Sequence, residues 1–166
     1  VQGRDRPRER LWRGFAAMSD VIRAGAAPRP VGQYPHARRV GGLLFLSGIG
    51  PRDPASNAIV GNVHDAEGRL IAYDIDAQTR AVFANVRTVL EASGARWEDL
   101  VDVTVYLTDM EHDFKAYNAV WAEYFPDIGT APCRTTLGIT ALPTPIAIEL
   151  KCIAAVRGAP SPGASE

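Results

Sequence analysis

The chain has 166 residues, 46% of them hydrophobic, with a formal net charge of −1. That is one domain's worth of chain, long enough to bury a core without disulfides or metals. The near-zero charge gives no footprint for nucleic acid or an anionic membrane, and no apolar run approaches the ~20 residues that span a bilayer. Residues 1–17 differ in character: Arg4, Arg6, Arg8, Arg10 and Arg13 outnumber Asp5 and Glu9. The two acids are atypical of a transit peptide, so this stretch reads as a disordered extension or an over-extended start ahead of Met18-Ser19-Asp20. A single domain is expected over 18–156, and the Pro-, Gly- and Ser-rich stretch 157–166 reads as a disordered tail.

Strands are expected near Val21–Arg23, at Ala37–Val40 and, most strongly, at Leu43–Ser47, bounded by Gly41-Gly42 and Gly48. Residues 52–73 carry Pro, Asn, Gly and charges and read as a long loop with room for a small hairpin, a kind of segment that is often functional. A helix follows from about Asp76 to Ser93, because Val82, Val86, Val89 and Leu90 fall on one face. Asp74 or Asp76 can cap it and Gly94 can end it. Val101–Leu107 alternates apolar and polar residues as a strand does. A second helix is expected over about Asp113–Phe125, with Phe114, Tyr117, Trp121 and Tyr124 as its core face. Arg134–Ile139 and Ile146–Ala155 close the chain as strands.

The order β-β-β-α-β-α-β-β predicts an α+β fold with two helices on one face of a mixed or antiparallel sheet. The Val, Leu and Ile faces of the strands are the expected partners of the helices. The other face then carries Asp102, Thr104, Tyr106, Arg134, Thr136, Glu149 and Lys151, and must meet water or another subunit.

Arg134 opens its strand behind the stiffening Pro132 and beside Thr135 and Thr136. A guanidinium there is suited to grip a carboxylate bidentately, and equally suited to a salt bridge at a strand end. Glu149 stands in the apolar run Ile146-Ala147-Ile148-Glu149-Leu150, where a carboxylate is costly unless paired, solvated or used. In a cleft it can orient or deprotonate a water molecule; on an open face it is simply solvated. Gly48-Ile49-Gly50 lacks the third glycine and following helix of a nucleotide fingerprint, so Gly48 reads as a turn or a close approach to a ligand. Ser47 and Ser93 lack a GxSxG context, which argues against a serine hydrolase. Cys133 and Cys152 have no CxxC spacing and fit a reducing, cytoplasmic compartment, with Cys133 read as a packed thiol. His36, His64 and His112 form no ligand-spaced pair, so no metal site is expected. His36 with Arg38 and Arg39 makes a small cationic cluster.

These stretches resemble the RidA/YjgF superfamily of small imine-hydrolysing proteins. The resemblance is carried by Val31-Gly32-Gln33-Tyr34 with Leu43-Leu44-Phe45-Leu46-Ser47-Gly48, by Asp76-Ala77-Gln78-Thr79-Arg80, and by Val101–Met110. It continues through Tyr117-Asn118 to Tyr124-Phe125, then Ala131-Pro132-Cys133-Arg134-Thr135-Thr136 and Ile146–Ala154, over most of 28–156. It implies a chorismate-mutase-like fold and a homotrimer whose sheets close a central barrel, with active sites between subunits. It implies that Arg134 holds the substrate carboxylate and Glu149 positions the attacking water. Tyr34, Asn118 and the backbone around Gly48 and Thr136 would contact the substrate, and no cofactor is needed.

Two departures, Tyr34-Pro35-His36 and the longer segment between Pro51 and the first helix, are similar to the 2-aminomuconate deaminase branch. That likeness implies conversion of 2-aminomuconate to 4-oxalocrotonate and ammonia in aromatic-compound breakdown. The second carboxylate of such a substrate is then assigned to the cluster of His36, Arg38 and Arg39. The rival expectations are a general 2-imino acid deaminase using the same residues, and a non-catalytic trimer that binds small carboxylates.

Overall fold

The computed structural model describes residues 19–156. The expectations for 1–17 and 157–166 lie outside the described residues.

Three strands open the fold as an antiparallel meander: β1 (Ser19–Ile22), β2 (Ala37–Val40) and β3 (Leu43–Leu46). Gly41, at φ 57°, makes the tight β2–β3 turn that a side chain would strain. The long segment before the first helix folds its own hairpin, β4 (Asn62–His64) with β5 (Leu70–Tyr73). Helix α1 (Ile75–Ala92) begins where the Asp74 carboxylate accepts from the Ala77 N–H, and it buries Val82, Phe83, Val86, Val89 and Leu90. A short 3-10 turn leads into β6 (Leu100–Leu107). Helix α2 (Met110–Tyr124) starts at Met110 rather than near Asp113, because Asp109 takes the cap and accepts from the His112 N–H. Strands β7 (Cys133–Gly138) and β8 (Ile148–Ala155) complete the chain.

Six strands form one mixed sheet in the order β1-β2-β3-β8-β6-β7. Only β6 and β7 run parallel, with α2 as the crossover that a parallel pair requires. The core lies between the sheet and the two helices: Leu44, Leu46, Val103, Val105, Leu107, Ile148 and Leu150 meet Val82, Phe83, Val86, Tyr117 and Val120. Each such side chain, fully buried, contributes about 1.5–3 kcal/mol. Phe83 is the hub of an aromatic cluster, with Tyr124 at 4.7 Å and Trp97 at 5.5 Å between ring centroids. The α+β architecture and the two helices on one face are those expected, and the small hairpin for which the long loop had room forms as β4–β5.

One strand is turned over relative to expectation. Register pairs Arg134 with Val103, Thr136 with Val105 and Gly138 with Leu107, so these three share the helix side. Thr135 and Leu137 take the open face, and Leu137 is exposed. Gly138 shows why: a Cβ there would come within 3.3 Å of Met110 on α2. At this sheet edge the helix side accepts a small residue and a flat cation rather than a branched apolar one. The Phe114 end of the expected aromatic face is exposed, while Tyr117 and Trp121 are buried. Cys133, expected to be packed, is exposed on this edge strand; Cys152 is the buried thiol.

Candidate active site

A cavity of about 410 Å³ opens at the end of β3 and beside β8, where Asn85 and Val89 of α1 also reach its wall. Tyr34, His36, Gly48 and Glu149 all line it, as does the segment Gly50–Arg52. Glu149 is placed by the alternation of β8: Ile148 and Leu150 face the core, so Glu149 faces out, opposite Tyr106 of β6. Gly48 makes room for it, since a Cβ there would lie 2.8 Å from the Glu149 Cδ. The chain beyond β3 stays pinned to β8, where Ile49 and Leu150 exchange both backbone hydrogen bonds. Glu149 has no hydrogen-bond partner among the described residues, and burial pushes its pKa above the ordinary range. A raised carboxylate beside a cavity is suited to take a proton from water and return it.

His36 does something other than the expected anion binding. Its Nδ1 accepts from the Ala24 N–H (3.1 Å), so its Nε2 carries the proton and donates to the Pro28 carbonyl (3.0 Å). With both nitrogens committed to the main chain, the imidazole is a neutral brace for the turn from Ala24 to Pro30. The expected cluster of His36, Arg38 and Arg39 is not assembled. Successive residues of β2 point to opposite faces, and Arg38 donates to the Ser19 hydroxyl. Arg39 donates to the Ser93 carbonyl (2.7 Å), at the C-terminal end of α1.

Arg134 stands apart from the cavity, on the helix side of the edge strand. Its Nη1 donates to Asn118 Oδ1 (2.9 Å), and its guanidinium lies 4.8 Å from the Trp121 ring centroid and 5.7 Å from that of Tyr117. Burial pushes the Tyr117 hydroxyl up, and the Arg134 charge opposes that rise. Arg134 is exposed and has no carboxylate partner among the described residues. Asn118 therefore orients the guanidinium, and the remaining donors are free for an anion. Arg134 and Glu149 lie on opposite faces of one sheet, so a single chain does not bring them together.

Sequence reasoning missed four further groups at the cavity: Arg29, Arg52, Asn85 and Lys151. Lys151 was readable, two residues beyond Glu149 on the same strand face. Asn85 is buried on α1, and its amide donates to the carbonyls of Gly50 (3.0 Å) and Arg52 (2.7 Å). A second buried amide, Gln78, accepts from the Ala147 N–H and donates to Asn62, fixing the approach to β8. Elsewhere, Tyr73 and His112 both bond the buried Asp113 carboxylate, tying β5 to α2. Burial and that carboxylate push the Tyr73 hydroxyl up to about 12. Among the described residues no cluster of His, Cys, Asp and Glu is arranged to hold a metal, and no helix is long and apolar enough to cross a membrane.

A family model described as Endoribonuclease L-PSP matches residues 24–156. A RutC family protein of Pyrococcus horikoshii is 38% identical over 137 residues, 82% of this chain and 98% of that one. The chloroplastic Reactive Intermediate Deaminase A of Arabidopsis thaliana is 33% identical over 81% of this chain and 65% of its own. The crystal structure of E. coli TdcF with bound serine superposes with a TM-score of 0.69 at 27% identity, covering 82% of this chain and 98% of that one. The match runs through the cavity, both helices and the Arg134 strand, and the chain belongs to the RidA/YjgF family.

Proposed function

We propose that the protein is a cofactor-independent deaminase that hydrolyses the imine or enamine of a small 2-imino acid, in a cytoplasmic homotrimer with sites shared between subunits. The observation that carries this reading is the half-buried Glu149 carboxylate, which lines the cavity without a partner and with a raised pKa. Two of the similar proteins point the same way, one named as a reactive intermediate deaminase and one holding serine, a small amino acid. The uncovered β7 edge and the exposed Val101, Leu137 and Leu43 favour an assembly that closes the sheets on one another, as a barrel would.

In this reading the substrate sits between the cavity of one subunit and Arg134 of the partner subunit. The guanidinium grips the carboxylate beside the C=N carbon and orients it. Glu149 takes a proton from water as the oxygen bonds to that carbon, giving a tetrahedral carbinolamine. With the imine nitrogen protonated at the start, Glu149 returns that proton to the amino group and takes up the carbinolamine hydroxyl proton as the C–N bond breaks, leaving a 2-oxo acid and ammonia. With its pKa raised by burial, the Glu149 carboxylate is a stronger base than an ordinary one.

Within this class we favour 2-aminomuconate, which yields 4-oxalocrotonate and ammonia, because the chain between Pro51 and α1 is long enough to fold its own hairpin. The family's ribonuclease name is less well supported, since the imidazole at the cavity has both nitrogens bonded to main chain. The test is an assay that generates imino acids or 2-aminomuconate in situ and follows their decay and ammonia release. Acceleration by the protein is expected. No acceleration with any imine would leave a carboxylate-binding trimer instead.

A further inference from the structure

We propose that Arg52 and Arg29 form a second anion subsite in this cavity, which takes the distal carboxylate of a dicarboxylate substrate. The inference rests on the deaminase reading of the same site and adds what the far end of the substrate must be.

Charge is the first support. Arg29, Arg52 and Lys151 line the cavity against one carboxylate, Glu149. None of the three cations is in a salt bridge among the described residues. The only hydrogen bond from the Arg52 guanidinium there is a long one, 3.3 Å, to the Asn57 carbonyl, which leaves most of its donors unused. A monoanion held at one end by Arg134 of the partner subunit would leave this cationic excess uncompensated. The distal carboxylate of a dianion would offset part of it.

Rigidity is the second support. Each arginine rides on a segment held by a buried or half-buried side chain that does nothing else. Asn85, 3% exposed, spends its amide on the Gly50 and Arg52 carbonyls, across more than thirty positions of sequence. His36 spends both ring nitrogens on the Ala24 N–H and the Pro28 carbonyl, and Pro28 and Pro30 stiffen the residue between them, Arg29. Burying an amide and an imidazole to fix two turns is expensive unless the turns must be fixed. What the two turns share is an arginine at the cavity wall. Such preorganisation lowers the entropy lost when an anion is gripped.

The experiment compares 2-iminoglutarate with the imine of leucine, both made in situ by amino-acid oxidases, on the full chain. The wild type is expected to favour the dicarboxylate in kcat/KM. Arg52→Gln and Arg29→Gln should each lower that preference roughly tenfold to a hundredfold, the worth of a charge-assisted hydrogen bond, with partial recovery in Arg52→Lys. Equal losses on both imines, or an unchanged ratio, would overturn the subsite. A second measurement does not need turnover: calorimetric binding of glutarate against butyrate. Tighter glutarate binding that Arg52→Gln abolishes supports the subsite even if neither imine is deaminated, in which case the deaminase reading alone falls. Equal affinity of the wild type for the two acids overturns the subsite whatever the kinetics.

Discussion

Strands β8 and β7 flank β6 on either side, yet they place their functional residues by different rules. In β8 the burial alternates without a break, Ile148, Leu150 and Cys152 inward, and Glu149 is fixed at a half-buried cavity wall. In β7 almost every residue is exposed, and Arg134 lies on the side opposite Glu149, across the rings of Tyr117 and Trp121. Strand alternation reads a side chain's face reliably only where one face is dry. The contrast also says something about the site. On the proposed reading, an acid in a cavity and a cation on an open edge, on opposite faces, are the two halves that a second copy of the chain would join.

The largest expected effects test each half. Glu149→Gln keeps the shape and removes the base, so kcat should fall by about 10²–10⁴ while substrate still binds. Arg134→Ala removes the carboxylate grip, and kcat/KM should fall by about a hundredfold or more, mostly through KM. Near-normal turnover in the first, or unchanged kinetics in the second, would remove that residue from the site. Mixing tests the join itself. If sites are shared, refolding the two inactive variants together should restore about a quarter of wild-type activity, because random assembly unites a native Arg134 with a native Glu149 at that frequency. A mixture as inactive as its components would place the whole site within one chain.

A smaller effect is expected from Gly48→Ala, which sharpens the cavity half alone. The new methyl group would press on the Glu149 carboxylate. Crowding of this kind costs about 1–3 kcal/mol, and here the flexible carboxylate absorbs it by moving. We expect kcat to fall about tenfold, with a thermal midpoint close to wild type. A large loss of thermal stability without loss of kcat would show that Gly48 serves the fold rather than the carboxylate.

The same contrast explains what the sequence disclosed. The helices, β6 and β8 were readable because their apolar periodicity is strong, and Glu149 because it interrupts such a pattern. The strand β7 was readable but its facing was not, since Cys133-Arg134-Thr135-Thr136-Leu137-Gly138 alternates nothing that a dry core would demand. The hairpin of β4 and β5 was visible only as room in a loop. Arg38 and Arg39 were readable as separate, because neighbours on a strand point apart. The roles of His36, Asn85 and Arg52 were hidden, since each depends on a partner far along the chain: Ala24 and Pro28 for His36, Gly50 and Arg52 for Asn85. Pattern within a window of sequence carries no trace of such pairings.

The smallest predicted effect concerns stability, and it follows from the cost of keeping Glu149 where it is. Burial raises its pKa in the folded state, so between the unfolded and folded pKa values the native protein binds the extra proton. Stability from this group is therefore full below the unfolded pKa of an ordinary glutamate, and is lost as pH rises through the folded value. Above the folded pKa the ionised carboxylate is a net burden on the fold. Glu149→Gln should then raise the thermal midpoint slightly at pH 7, and the gain should vanish at acid pH, where the wild-type side chain is already neutral. The gain is modest because the group is only half buried and solvent screens it. Thermal melts of both proteins from pH 4 to pH 8 measure the difference. A gain that grows toward acid pH would mean that Glu149 has an opposite charge beside it and is stabilised, not strained, by its surroundings. Loss of activity together with a gain in stability at neutral pH is the expected pairing for a carboxylate kept in a costly place for its chemistry.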